Sequence, residues 1–480
     1  MLNLISDHWI PVQRDSGPDI IRPDQIADPD VRELAWPRPD LNLACLELLI
    51  GLTYLACPPA RANRGPAPDA ATLRAGLEPL KPAFNLLGDG PRFLQDFDPN
   101  LEGSTNPPDM LFIDSAGEAT AKKNADLMVR RDRYESIPLP LAAMALYTLQ
   151  AFAPSGGAGN RTSMRGGGPM VTLVRPRNQG LWPMIWANVP PSAPLEDLTQ
   201  LPWMRPTKTS EKGTGKPTPP PANLDPGDPP PPEMFFGQPR RLRLVGDKNG
   251  ITEVMQRPYG TNYQGWLHYL SPYYLDTKMQ KLPVHPRPGV FGYRNWRGIL
   301  LSSEKGINPE TLRCYRKGDG DNAELIVAGW AMDNMKPIDF IWSEQPVFPL
   351  SDDADLEAGN MVEAAEQAGN ALRTALKQAM SKKKGNKLGT SYDGHIASAE
   401  EAFFIQTQDE FEKHVDRLSK NQKPDMNSWR KHMRQVAISL FDQHVEPALL
   451  TMDIAQAEKA VHARNKLLAT FKHLKPEKSE

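Results

Sequence analysis

The spacing of hydrophobic residues changes near residue 350, and this change divides the chain into two parts. Before that point, short alternating runs broken by proline lie between apolar stretches of helical length. After it, apolar residues recur at steps of three and four, which is typical of amphipathic helices. The predicted helices span 356–380, 397–418, 428–445 and 453–474. Short polar connections between them predict a four-helix bundle over 351–480.

The first part mixes strands and helices without the regular alternation of a doubly wound sheet. Strands are predicted in the first 35 residues, at 170–174 and at 240–245, and helices at 41–57, 72–85 and 139–152. The predicted fold class is therefore α+β, with a large irregular mixed domain over 1–350 followed by the all-α bundle. Within the first domain, the proline-rich stretch 204–232 is expected to be extended or disordered.

Composition is that of a soluble protein of two or more domains. The chain has 480 residues, 39% of them hydrophobic, and a formal net charge of −2, which argues against a uniformly basic nucleic-acid coat. Three scattered cysteines favour neither a disulfide framework nor a zinc knuckle, so we expect a reducing cytoplasm. The first residues show no basic segment followed by an apolar one, so we expect no signal peptide. The apolar stretch 41–57 contains Glu47 and is predicted to be a core helix rather than a membrane span.

The stretch 156–169, called here the glycine loop, connects the predicted helix 139–152 to the predicted strand 170–174. It contains six glycines and two arginines but no carboxylate. A structural turn is one interpretation. The other is a nucleic-acid contact, because glycine lets a backbone approach another molecule closely and arginine binds phosphate. The sequence leaves open whether the arginines serve the fold or the phosphates.

Two further segments favour the nucleic-acid interpretation. Residues 277–317 contain nine Lys or Arg against two acidic residues. In the segment 330–337, Asn334 can read base edges, Met335 can wedge into a base step and Lys336 can hold a phosphate. A turn that ends a helix, with Asn334 as its cap, explains the same residues.

No arrangement of residues typical of an enzyme is present. The nine histidines form no metal-binding pair at helical spacing, and His285 lies in a proline-rich turn, where a structural role is the usual one. We therefore expect no catalysis, no cofactor and no metal. The polar, basic segment 119–136 predicts an exposed loop that is either a solvated connection or a binding segment.

Several short motifs, taken in order, resemble the CasA family, the large subunit of the type I-E CRISPR surveillance complex called Cascade. The resemblance runs nearly end to end. Its motifs are the opening Leu4 to Val12, Phe93-Leu94-Gln95, Ala142 to Gln150, the glycine loop with Ser163 to Gly167 and Pro169, Leu282 to Pro286, and Phe471 to Pro476.

The resemblance implies an unusual α+β domain and a C-terminal bundle, in a subunit that recognises the protospacer-adjacent motif (PAM) of double-stranded target DNA. It also implies that the subunit starts strand separation for R-loop formation and helps to recruit a nuclease-helicase. Residues carried over for PAM contact from the minor groove are Gly156, Gly157, Gly159, the base-reading Asn334, and Lys278 or alternatively Lys281. Met335, in place of a family glutamine, and Lys336 correspond to the wedge.

The same resemblance assigns the loop 124–134 to the 5′ handle of the CRISPR guide RNA and to neighbouring Cascade subunits. Its candidate contacts are Asn124, Arg130, Arg131 and Arg133. Some family members bind zinc through two cysteine pairs, but 130–138 and 246–257 contain no cysteine here, so zinc is not expected. The alternative function is a scaffold that docks the nuclease-helicase without reading DNA. A third hypothesis is an enzyme that uses His285.

Overall fold

The computed structural model describes residues 2–115, 133–157, 159–177, 179–210, 217–221, 229–318, 323–380, 393–450 and 452–473. They group into two compact units, one of residues 1–288 and 309–346 and one of 289–308 and 347–480. The change of pattern near residue 350 predicted that 289–308 belongs to the first domain. This segment instead packs with the helices because Tyr293 and Trp296 are buried against Phe411, with ring centroids 4.3 and 5.3 Å apart.

The first unit combines helices with small antiparallel sheets. Its helices are α1 (Pro39–Ala56), α2 (Ala70–Leu77), α3 (Leu139–Phe152), α4 (Leu181–Ala187) and α5 (Glu310–Gly318). The strands in chain order are β1 (Ile10–Arg14), β2 (Gly17–Ile21), β3 (Val31–Leu34), β4 (Ser104–Asn106), β5 (Val171–Pro176), β6 (Arg241–Asp247), β7 (Gly250–Arg257), β8 (Tyr273–Leu275), β9 (Lys281–Pro283), β10 (Gly306–Ile307, in the second unit), β11 (Ala323–Asp333) and β12 (Lys336–Val347).

Helix α1 forms the centre of the first unit and packs against α3. Both helices are apolar on all sides and almost wholly buried, which is the pattern of a core helix. By length and composition α1 is long and apolar enough to cross a membrane, but 89% of that segment is buried inside the protein. The prediction of a core helix is confirmed.

The sheets are short and antiparallel, with strand orders β2-β1-β3, β4-β7-β6 and β12-β11-β5. Strands β8 and β9 form a separate hairpin, in which Tyr273 pairs with Pro283. Strands β6 and β7 are joined by a tight turn at 247–250, where Asp247 pairs with Gly250 and its carboxylate accepts the N–H of Asn249. This mixture of elements confirms the predicted α+β class.

Two buried glutamines from the motifs connect loops to strands. The amide of Gln95 donates to Leu86 O and accepts from Leu244 N, while Gln150 bonds both Leu94 O and the main chain of Arg240. A buried amide needs all these partners to offset its desolvation.

The described parts of the proline-rich stretch are extended and are attached to the first unit by hydrogen bonds. Ser210 N–H donates to Tyr259 O, and Thr218 exchanges main-chain hydrogen bonds with the segment 262–264. Residues 211–216 and 222–228 lie outside the described part of the chain.

The second unit contains the helices α6 (Asp352–Met380), α7 (Asp393–Ser419), α8 (Met426–Leu449) and α9 (Ile454–His473). Each packs against its neighbours, with Phe411 and Trp429 fully buried. The carboxylate of Asp425 accepts the N–H groups of Asn427 and Ser428 and so caps α8. The predicted four-helix bundle is confirmed.

Candidate nucleic-acid interface

The second half of the glycine loop is anchored in the core by a buried ion pair. Arg165 leaves the loop and donates to Glu47 Oε1 of α1 over 2.7 Å, and both side chains are at most 2% exposed. Ser271 Oγ accepts a further bond from Arg165 at 3.2 Å. This pairing explains Glu47 in the middle of the apolar α1, because a buried carboxylate requires a partner of opposite charge.

The buried His268 completes this cluster. Its Nδ1 accepts the N–H of Leu270 at 3.2 Å and lies 3.3 Å from Arg165 Nη1, so the proton of the neutral ring belongs on Nε2, 3.4 Å from Glu47 Oε1. Burial and the charge of Arg165 lower the pKa of His268 to about 4. Burial alone raises the pKa of Glu47, but Arg165 and His268 outweigh it and hold that pKa below its usual value.

The other arginines of this region are also engaged within the protein. Arg161 donates to Ser210 Oγ at 2.8 Å and lies over the ring of Tyr259. Arg175 forms ion pairs with Glu324 and Glu344. The sequence left open whether the two arginines of the glycine loop serve the fold or the phosphates. In the structure Arg165 is paired with Glu47, and Arg161 is held by a hydroxyl group and an aromatic ring, so both make contacts within the fold.

The glycines of the first half of the loop have three different environments. Gly157 is exposed with φ +66°, and a Cβ there meets no atom of the described residues within 4 Å. Gly159 has φ +84°, but a Cβ there lies 2.5 Å from the ring of Tyr259, and at Gly156 it lies 2.7 Å from Arg240 Nη1. Gly157 is thus open to another molecule, whereas Gly159 is required by internal packing.

The glycines of the second half are covered by two other segments. A Cβ at Gly166 lies 2.8 Å from His285 Nε2, and a Cβ at Gly167 lies 3.1 Å from Met335 Sδ. The N–H of Met170 donates to Val284 O at 3.1 Å. The structure therefore joins the end of the glycine loop to the 283–286 segment and to the hairpin tip that contains Met335.

Residues 334 and 335 form the two-residue turn of the β11–β12 hairpin. Asn334 has φ +48° and Met335 has φ +64°, as in the type I′ turns that suit hairpin twist. The alternative of a turn that ends a helix is therefore wrong. Asn334, Met335 and Lys336 are exposed, and the Asn334 amide donates to Asp333 Oδ1 at 3.1 Å.

Lys278 lies at the tip of the β8–β9 hairpin, and Lys281 begins β9. Both side chains are exposed. Strand β9 leads into Val284, which bonds Met170 at the end of the glycine loop. Either lysine is thus attached through β9 to the glycine loop, and the choice between them stays open.

The loop 124–134, which is predicted to contact the guide RNA, lies mostly outside the described residues. Asn124, Arg130 and Arg131 are among those outside. Arg133 is described, and its guanidinium donates to both carboxylate oxygens of Asp114 and lies 5.4 Å from the Phe112 ring centroid. Arg38 binds the same carboxylate and the same ring. Arg133 is therefore engaged by Asp114 and Phe112 rather than offering a free cation.

Sequence reasoning missed the contributions of His268 and Tyr259. The signal for the first was present, because a carboxylate in an apolar helix predicts a buried partner, which proved to be Arg165 with His268 beside it. Tyr259 follows a proline in an irregular segment with φ +65°, and nothing local marks it as a packing partner of Gly159. Among the described residues, no group of three or more His, Cys, Asp or Glu side chains is placed to hold a metal ion.

Comparison with known proteins identifies the family. The model of CRISPR-associated protein Cse1 matches residues 3–440. A CRISPR associated protein from Thermus thermophilus has a TM-score of 0.76 at 18% identity, covering 99% of this chain and 100% of that chain. Thermus thermophilus CasA (Cse1) gives 0.73 at 17%, covering 98% and 99%.

A chain of a CRISPR RNA-guided surveillance complex has a TM-score of 0.67 at 14% identity, covering 97% of this chain and 99% of that chain. No curated protein matches. The structural likeness shows a shared fold, and the family model covers nearly the whole chain. The resemblance to CasA is thereby confirmed: this chain belongs to the Cse1 family of CRISPR-associated proteins.

Proposed function

We propose that this chain is the large subunit of a type I-E CRISPR surveillance complex and recognises the PAM of double-stranded DNA. Family membership supports its place in such a complex, and a similar chain occurs in an RNA-guided surveillance complex. The guide RNA, other Cascade subunits and a recruited nuclease-helicase are its partners in this proposal. The compartment is the cytoplasm, and the chain itself is not an enzyme.

The observation that carries the DNA-reading role is the meeting of three predicted segments. The exposed tip at Asn334 and Met335 lies against the second half of the glycine loop, whose end bonds the segment that follows β9. Gly157, whose backbone is open, lies in the first half of the glycine loop. The exposed Lys278 and Lys281 lie in the β8–β9 hairpin, which leads into the segment that bonds the end of this loop. An amide, an apolar side chain, a lysine and bare backbone together suit degenerate minor-groove reading and a wedge.

The engaged arginines fit this proposal because strong general attraction would hold a scanning protein on non-target DNA. In an RNA-guided complex the guide reads the sequence by base pairing, and the protein needs only a short recognition site and help in opening the duplex. Exposed cations of these segments include Lys278 and Lys336 at hairpin tips and Lys281 at the start of β9, and in this proposal each binds a single phosphate.

The test is selection of duplexes from a randomised-PAM library by the complex reconstituted with its guide, with and without this subunit. Asn334→Ala is expected to flatten the PAM preference while assembly is unchanged. Gly157→Asn is expected to weaken binding of PAM duplexes, because asparagine tolerates a positive φ but its side chain enters the open space. Asn249→Ala, at the exposed turn of the β6–β7 hairpin, is the matched control. A PAM preference that stays the same in both variants contradicts the proposal.

A scaffold that docks the nuclease-helicase without reading DNA is the second candidate. It is favoured by exposed apolar residues between α8 and α9, where Leu450 is 91% and Ile454 82% exposed. Leu450→Ser together with Ile454→Ser then reduces nuclease-helicase recruitment but leaves PAM selection intact. Crosslinks from target DNA that avoid this chain support the scaffold against the DNA-reading role.

A further inference from the structure

The tip of the β8–β9 hairpin exposes a methionine on a well-ordered turn. Met279 is 69% exposed and has φ +61°, a left-handed conformation that is unusual for a long side chain. The carboxylate of Asp276 accepts the N–H groups of Lys278 and Gln280, each over 2.8 Å, and Met279 N–H donates to Asp276 O at 3.0 Å. The methionine is therefore held outward by a hydrogen-bonded turn, at a cost in backbone strain and in exposed apolar surface.

The apolar surface continues along the outer face of the same hairpin. Tyr274 and Leu282 are directly opposite each other in the register and are 42% and 36% exposed. Lys278 lies in the turn of the same hairpin and Lys281 precedes Leu282 in β9, and both lysines are exposed. Lysines next to an apolar ridge match a nucleic acid, which offers phosphates and base faces together, better than an apolar protein surface.

The β11–β12 tip repeats this arrangement. Met335 is 46% exposed with φ +64°, and Lys336 follows it. Both hairpins are bonded to the chain that leaves the glycine loop, since Met170 bonds the residue after β9 and β5 pairs with β11. Two Lys/Met tips thus flank the same strand.

We propose that Met279 is a second apolar wedge, which enters a base step of the duplex while Lys278 and Lys281 bind the adjacent phosphates. This inference rests on the proposed function and adds a residue to it. Apolar side chains inserted between base pairs unstack them and bend the duplex. A second insertion on the same duplex distributes the unstacking over two steps.

The experiment uses the reconstituted complex with its guide RNA and PAM duplexes in which 2-aminopurine replaces one base at a time next to the PAM. Met279→Ala is expected to slow the fluorescence rise about ten-fold, because the opened base step is then no longer filled by an apolar side chain. The 2-aminopurine position at which the rise is slowed should differ from the position that is slowed in Met335→Ala. Met279→Leu should retain the signal, and Ile20→Ala, at a 55% exposed position on β2, is the control.

Each other outcome has a distinct meaning. If Met279→Ala opens DNA at the original rate while Met335→Ala is slow, the second wedge is refuted and the proposed function stands. If both variants open DNA normally and Asn334→Ala keeps its PAM preference, the proposed function fails as well. If Met279→Ala prevents the chain from joining the complex, the hairpin is a subunit contact and the inference is overturned.

Discussion

Removing either partner of the Glu47–Arg165 pair is predicted to destabilise the first unit far more than removing both. At 2.7 Å and an effective dielectric constant of about 20, the two charges attract by about 6 kcal/mol. That attraction offsets a desolvation penalty of several kcal/mol for each ion, so the intact pair contributes little net stability. A lone charge in the same place keeps the penalty without the attraction.

Glu47→Leu and Arg165→Met are therefore each expected to cost about 3–5 kcal/mol, and the double variant is expected to lie within about 2 kcal/mol of the original protein. The local readout is amide exchange in β5, where the Thr172 N–H donates to Leu270 O at 2.7 Å. A loss of that size accelerates exchange by about two to four orders of magnitude, at about 1.4 kcal/mol per factor of ten.

The control is Glu310→Gln, which breaks an exposed pair with Arg313 and should cost about 1 kcal/mol or less. The reasoning is refuted if Glu47→Leu alone costs no more than this control, or if the double variant loses the sum of the two single losses. Either result means that the pair is hydrated or that the loop is not anchored through it.

Three further predictions concern other contacts. The pKa of His268 falls from 6.5 to about 4 on folding, so below pH 6.5 the unfolded chain binds a proton that the folded chain does not. The free energy of unfolding therefore drops as the pH falls from 6.5 to 4, by up to about 1.4 kcal/mol per pH unit. His268→Asn keeps a hydrogen-bond acceptor and should flatten this part of the pH profile of unfolding. Gly168→Ala should lower the melting temperature more than Gly157→Ala. Both positions have a positive φ, but of the two only the Cβ at 168 meets a main-chain oxygen of β11, at 2.5 Å. Phe411→Ala should cost about 3–5 kcal/mol in urea unfolding of the helical unit, since the ring is fully buried and stacked on Tyr293; a loss below about 1 kcal/mol would mean that the site collapses freely.

The parts of the fold that follow from local periodicity could be predicted from the sequence. The span 139–152 matches α3 because an unbroken apolar run sits between Pro138 and the first glycines of the loop. The four helices of the bundle could also be predicted, because their apolar residues recur at helical spacing. Membership of 289–308 in the helical unit could not be predicted, because it depends on aromatic contacts with residues more than a hundred positions away.

The turn at 334–335 shows where local patterns stop being informative. Strong hairpin signals pair asparagine with glycine, because both central residues need a positive φ. Here methionine takes the second position, so the sequence was equally consistent with a capped helix end. The pairing of β11 with β12 imposes the conformation instead. Placing a strained methionine where glycine is easier suggests that the side chain is needed, which agrees with its proposed role as a wedge.

The glycine loop shows the same limit at the level of single residues. Gly157 and Gly159 read alike in the sequence, but the ring of Tyr259 occupies the space beside one and solvent the space beside the other. A bulky residue at 159 would therefore weaken DNA binding by displacing Tyr259 even if the loop never touched DNA. A substitution at 157 separates the two causes, because its Cβ meets no atom of the described residues within 4 Å. Loss of DNA binding in a stably folded Gly157→Asn variant would thus place the DNA at that backbone.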